Sequence, residues 1–161
     1  MSIFEDQWDF MQLGSQDAII FSQKGPQAHA EQLALYESLI EEESAEMAEA
    51  FASKFKTNPG GIPDLELMTD LEFTQAIGRV DDIKEAFDVI VVAAGYLVTR
   101  LGVEGAQKAW NLGHETNLAK VRGGAIKRDD GKILQTKEYK EELKAQLYKD
   151  LKALVDSVEM V

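Results

Sequence analysis

The sequence predicts an all-α protein with its helices packed antiparallel in a bundle. Two features carry this. Apolar residues recur at three- and four-residue spacing along most of the chain, and helix breakers fall in short clusters, with prolines only at 26, 59 and 63. Residues 3–13 fit a short helix, with Phe4, Trp8 and Met11 on one face. Gly14 and then Gly25-Pro26 interrupt the pattern, and a long helix follows from about Gln27 to Phe55. TNPGGIPD, residues 57–64, is a loop, and a shorter helical stretch covers 65–76. Arg79 to Leu101 form a strong helix that Gly102 ends. Val89-Ile90-Val91-Val92 has strand propensity, but the apolar stretch runs on through Leu97 with no turn signal, so helix is favoured. Another helix fits 103–121. The glycine- and charge-rich 122–134 reads as a loop or small hairpin, and an amphipathic helix fits 137–158. The whole is a single domain, 1–161, with a core over 27–135 and the C-terminal helix outside it.

The chain is long enough for one hydrophobic core, and its apolar fraction of 45% suits one. It has no cysteine, which excludes disulfides and thiolate zinc sites and fits a cytoplasmic setting. The start, MSIFEDQWDF, lacks a basic n-region, and Val89–Val98 is too short to span a bilayer, so neither a signal peptide nor a membrane partner is expected. A net charge of −12 argues against nucleic acid polymers as partners. It does not exclude a small phosphorylated substrate that arrives with divalent cations.

LIEEESAEMAEAF, Leu39–Phe51, holds five glutamates in thirteen residues. Tyr36, Ile40, Met47 and Phe51 form an apolar helical stripe whose missing member is Glu43. Glu43 is therefore expected to point at the core, with Glu46 at the edge of that face, Glu42 and Glu49 farther out and Glu41 solvated. A carboxylate in that position needs a base, a cation or a metal. The alternative is a rotated helix with Glu43 reaching water. In the later helix, Asp88 is the one charge in Ala86–Thr99, and Glu85 lies three residues before it on the same side. Facing pairs, Glu43/Glu46 and Glu85/Asp88, would gather four hard oxygen donors suited to Mg²⁺ or Mn²⁺. A Glu-x-x-His di-iron motif, a calcium loop and a P-loop are all absent.

Glu42-Glu43-x-x-Glu46 followed by Glu85-x-x-Asp88 resembles the E-E-x-x-E … E-x-x-D signature of the all-α nucleoside triphosphate pyrophosphohydrolases. These include MazG-like proteins, dimeric dUTPases and phosphoribosyl-ATP pyrophosphohydrolases. GHETNLAKVRGGAIKRDDGKIL resembles the H-x-x-N-x-x-K … R-x-D-G-K segment of the phosphoribosyl-ATP branch. The likeness runs from about Ala34 to Tyr139. After Lys132 the chain departs from that branch, continuing ILQTKEYKEEL with no proline.

The resemblance implies the antiparallel bundle of that group, an oligomer (homodimer or homotetramer), and Mg²⁺-dependent cleavage of (d)NTP to monophosphate and pyrophosphate in nucleotide-pool house-cleaning, with Mn²⁺ as a substitute. It implies catalytic roles for Glu42, Glu43 and Glu46, with Glu42 as general base and Mg²⁺ on Glu43, Glu46, Glu85 and Asp88. Lys120, Arg122, Arg128 and Lys132 form the basic cluster nearest the acids. Of these, Lys120 and Lys132 are expected on the phosphates, Arg128 is taken as a further substrate-binding residue, and Asn117 is expected on sugar or base. Basic residues at a helix end also complement its dipole, and Asn117 also suits a C-terminal cap. His114, Trp8 and Trp110 read better as packing or solvated residues than as site residues. Two rivals stand beside this reading: phosphoribosyl-ATP hydrolysis in histidine synthesis, and a non-catalytic acidic helical module. Separately, the helix 86–98, apolar on almost every side, asks for cover from a second subunit.

Overall fold

The computed structural model describes residues 2–16, 18–19, 24–56, 64–122, 126–127, 129, 133–134 and 137–159. It is all-helical apart from one two-residue hairpin. Helix α1 spans Ile3–Leu13 and starts at a capping box in which the Ser2 and Glu5 side chains each take the other's backbone N–H. Gly14 closes it. Helix α2 spans Pro26–Lys54, with Pro26 in the first turn, where a missing N–H does no harm. A single 3₁₀ turn, Leu65–Leu67, precedes α3, Asp70–Ile77, so the expected helix over 65–76 is divided. The divider is Thr69, which caps α3 through a second capping box with Glu72.

Helix α4 runs Asp81–Arg122 and is broken at Gly102, whose φ of 68° and ψ of 174° lie outside helical space. Glycine adopts that positive φ without a Cβ clash. The chain turns back on itself there. Leu97 from before the break shares one cavity with Ala109, Gly113 and Asn117 from after it, residues that a straight helix would carry some 18–30 Å away. The stop at Gly102 and a separate helix over 103–121 are thus both legible in the fold. Strands β1, Ile126–Lys127, and β2, Ile133–Leu134, pair antiparallel as the small hairpin expected in 122–134. Helix α5, Lys137–Glu159, ends the described chain.

Helix α2 lies antiparallel along the first half of α4, and α1 and α5 cover other parts of α4. The α2–α4 register can be read from side chains. Gln32 donates to Thr99 Oγ1 at 3.0 Å, Tyr36 rests against Gly95, and Lys54 meets Asp82 at 2.9 Å. The core gathers Phe4, Met11, Ile19, Tyr36, Val92, Ala94, Val98 and Ala106. Its buried polar atoms are paired: Gln7 donates to Tyr36 Oη, which donates to Gln16, while His29 Nδ1 donates to the Ala18 carbonyl.

Two expectations need correction. The stripe from Tyr36 to Phe51 is covered only in its first half: Tyr36 is buried and Ile40 packs on the core, but Met47 and Phe51 are about 40% exposed. On α4, apolar on almost every side over 86–98, Ile83, Phe87 and Ile90 form an open face at 65%, 60% and 53% exposure, whereas Ala94 and Val92 are buried within this one chain. By length and composition α4 also contains a stretch apolar enough to cross a membrane, longer than Val89–Val98 alone suggested. Here its apolar side chains Val92, Ala94 and Val98 pack into the protein core instead.

Candidate metal centre

Antiparallel pairing of α2 with α4 carries Glu43 to the level of Glu85 and Asp88. One carboxylate oxygen from each of the three lies within 4.8 Å of the other two, and all three residues are half-buried. Three oxygens on one octahedral Mg²⁺ at about 2.1 Å stand about 3.0–4.2 Å apart, so side-chain adjustment on the order of an ångström closes the group on an ion. Glu43 Oε2 is buried and has no hydrogen-bond partner. A buried, unpartnered carboxylate oxygen aimed into an acidic group is the condition that a cation relieves. The donors are all hard oxygens, which fits Mg²⁺ or Mn²⁺.

The Glu43 carboxyl is pushed above the usual range. Desolvation is the largest cause, followed by the charges of Asp88 and Glu46, with Lys84 opposing and Glu85 adding a smaller push. Glu46 is therefore close enough for its charge to be felt, but its side chain is exposed and it is not among the three that converge. Glu42 is exposed on the adjoining side of α2, as are Glu41 and Glu49.

Lys84 was not singled out by the sequence reading. Its Nζ lies 3.0 Å from Glu85 Oε2 and 2.8 Å from Asp88 Oδ2, and these two hydrogen bonds raise its pKa. The signal was available, since a lysine four residues before an aspartate on a helix meets it. Such pairs are so common on solvated faces that nothing marked this one. Lys84 is 61% exposed, so it can leave the acids without breaking the core. It contacts Glu85 and Asp88, and Glu43 Oε2 stays unpartnered.

The expected phosphate and sugar contacts are less gathered. Asn117 is exposed and borders the cavity shared with Leu97 and His114, and Lys120 donates to Asn117 Oδ1 at 2.9 Å. Arg122 is exposed, 3.8 Å from Glu115. Arg128 and Lys132 lie outside the described residues. Trp8 packs on the core and Trp110 meets Phe4 edge-on with ring centroids 6.5 Å apart, so both have packing roles. His114 is exposed.

A second group of cations escaped the sequence reading, which took Lys120 to Lys132 as the only basic cluster near the acids. Lys54, Lys56 and Arg79 come together at the end of α2, although 23 residues separate Lys56 from Arg79. Comparison of the chain with protein-family profiles, with curated proteins and with solved structures finds no match.

Proposed function

We propose that this protein is a Mg²⁺-dependent nucleoside triphosphate pyrophosphohydrolase that converts (d)NTP to (d)NMP and pyrophosphate and acts in the cytoplasm on the nucleotide pool. The observation that carries the reading is the meeting of Glu43, Glu85 and Asp88 from two helices around an unpartnered buried oxygen. Glu43, Glu85 and Asp88 would hold the ion, with Glu46 joining by a rotamer change from its exposed position. Mg²⁺ there supplies the positive charge that offsets both the acids and a triphosphate, and it acidifies water. Glu42, exposed beside the group, takes the proton from the attacking water as the bond between the α and β phosphates breaks and pyrophosphate leaves. Asn117 and Lys120, bonded to each other at 2.9 Å on the stretch that returns from Gly102, are assigned to the nucleotide.

The test is a product assay across canonical, deoxy and modified triphosphates with Mg²⁺ and Mn²⁺. Pyrophosphate and monophosphate are expected, with activity lost in excess chelator. Orthophosphate with a diphosphate left behind, or full activity in chelator, overturns the reading. Phosphoribosyl-ATP belongs in the panel, because the metal end of the site does not separate it from other triphosphates.

The Lys84 contacts favour one other reading, in which a lysine rather than a metal neutralises Glu85 and Asp88 and the helices serve only to bind a partner. That reading leaves Glu43 Oε2 unexplained.

We also propose that a second copy of the chain covers Met47, Phe51, Ile83, Phe87 and Ile90. Two helices alone carry this apolar face, and two such hairpins related by a twofold axis complete a four-helix bundle. A dimer is expected by light scattering, and Phe87→Glu is expected to dissociate it. A strict monomer at high protein concentration removes this assignment.

A further inference from the structure

Beyond Glu85, toward the end of the α2–α4 pair where α2 stops and α4 begins, lies a cavity of about 530 Å³, within the range of small-molecule sites. Ser53, Lys54, Phe55, Lys56, Gln75 and Arg79 line it. Three cations and one acid, Glu72, line it, and Asp82 and Asp81 pair with Lys54 and Arg79 from just outside the lining. An anion entering here meets ion pairs for whose cations it can compete, in a chain whose net charge is −12.

The cations differ in how they are held. Lys54 is an anchor: its side chain is 6% exposed, and its Nζ bonds Asp82 Oδ1 at 2.9 Å. The Arg79 guanidinium donates to the Ser53 carbonyl and to Ser53 Oγ, each at 3.1 Å, and pairs with Asp81 while staying partly exposed. Lys56 pairs with Glu72 at 2.9 Å, both side chains being about half exposed. Exposed pairs of this kind are weak and exchange readily with another anion. Lysine and arginine with a serine hydroxyl and a glutamine amide are phosphate-binding chemistry. Asp82, held by Lys54, precedes Glu85 by three residues, about 4.5 Å along the helix axis. The pocket therefore adjoins the carboxylate group.

We infer that this basic pocket receives the terminal phosphates of the nucleotide, the pair that leaves as pyrophosphate. The inference rests on the pyrophosphohydrolase reading for the identity of the ligand, but its test needs neither metal nor turnover. Lys56 and Arg79 supply the charge–charge contacts, Ser53 and Gln75 supply hydrogen bonds, and Glu72 is the competitor that phosphate displaces from Lys56. A pocket built this way orients the triphosphate with its leaving group at the hairpin end and its α phosphate at the acids.

The experiment is calorimetric titration of the full chain with inorganic pyrophosphate in excess chelator at low ionic strength. Wild type is expected to bind, with affinity falling as salt rises. Lys56→Gln and Arg79→Gln are each expected to weaken binding about tenfold or more, and Lys56→Arg to retain it. Glu72→Gln is expected to shift affinity the other way, tightening binding several-fold, because glutamine keeps the Thr69 capping box yet no longer holds Lys56. Lys149→Gln, at an exposed position of α5, should leave this binding unchanged. Melting temperatures separate a lost fold from a lost contact, which matters most for Arg79 because it also caps the end of α2. Absence of binding in wild type, or equal affinity in Lys56→Gln, Glu72→Gln and wild type, overturns the inference and leaves the metal centre untouched. A failed product assay with pyrophosphate binding intact leaves a phosphate pocket without that catalytic reading.

Discussion

Glu43→Gln is expected to abolish most hydrolysis while leaving the metal-free fold as stable as wild type or more so. The amide keeps the shape of the side chain and removes the charge that an ion needs. It also ends the repulsion with Asp88, Glu46 and Glu85 that helps push the Glu43 carboxyl upward. The sign of the pH dependence follows. An acid whose folded pKa lies above its unfolded value destabilises the fold where it is ionised, and that penalty fades as pH falls through the raised value. The stability gap between Glu43→Gln and wild type, measured in chelator, should therefore close on acidification. With Mg²⁺ the order reverses, because wild type gains stability by linkage and the variant does not. Lys84→Gln should move the Mg²⁺-induced melting shift the other way, enlarging it, since it removes the ammonium that competes for Glu85 and Asp88. Glu41→Gln, two residues away on the exposed side, should be silent. Equal behaviour of Glu43→Gln and Glu41→Gln in activity and metal shift would take Glu43 out of the site.

Gly95→Ala is expected to be the most destabilising single-methyl change in the core. A Cβ at Gly95 would stand 2.0 Å from Tyr36 Cε1 and 2.4 Å from Cζ. The ring cannot swing aside cheaply, because its hydroxyl is fixed between Gln7 and Gln16 and the side chain is buried. Overpacking of this kind costs about 1–3 kcal/mol or more, which for a chain of this size lowers the melting temperature by roughly 2–12 °C. Gly113→Ala is the matched control. It lies in the same broken helix with open space around the new methyl, so the usual helix preference for alanine should stabilise it by up to about 1 kcal/mol. Thermal unfolding of the two variants decides the matter, and a loss at Gly113 equal to that at Gly95 would show that the Tyr36 contact is not the cause.

Much of the fold was legible because its signals are local. Gly14, Gly25-Pro26 and Gly102 each mark a boundary through their own chemistry, and the structure places boundaries there. The capping boxes of Ser2 with Glu5 and Thr69 with Glu72 are equally local signals that went unread, and the second was read through as helix because the apolar pattern on either side is continuous. Glu43 was legible as an oddity, a carboxylate in an apolar stripe, and its neighbours on α4 followed from the same reasoning. The limits appear where partners are distant in sequence. Met47 and Phe51 continue the stripe as faithfully as Tyr36 does, and periodicity alone cannot say that they stay about 40% exposed. Lys54, Lys56 and Arg79 flank the loop over 57–64, and only the folded hairpin joins them. Lys84 fails for the opposite reason: its pairing is so local that it resembles any solvated helix surface.

The break at Gly102 turns the second half of α4 into a lever. Lys120 lies 18 residues beyond it, about 27 Å along the axis. A rotation of only about 10° at that one residue would sweep its Cα through about 5 Å by this geometry, more than the length of a hydrogen bond. What holds the lever is α5, splinted along it from end to end. Val158 sits beside Gly105, Leu154 beside Leu112 and Glu115, and the Tyr139 hydroxyl donates to the Ala119 carbonyl at 2.9 Å. The C-terminal helix thereby fixes where Asn117 and Lys120 stand in the fold.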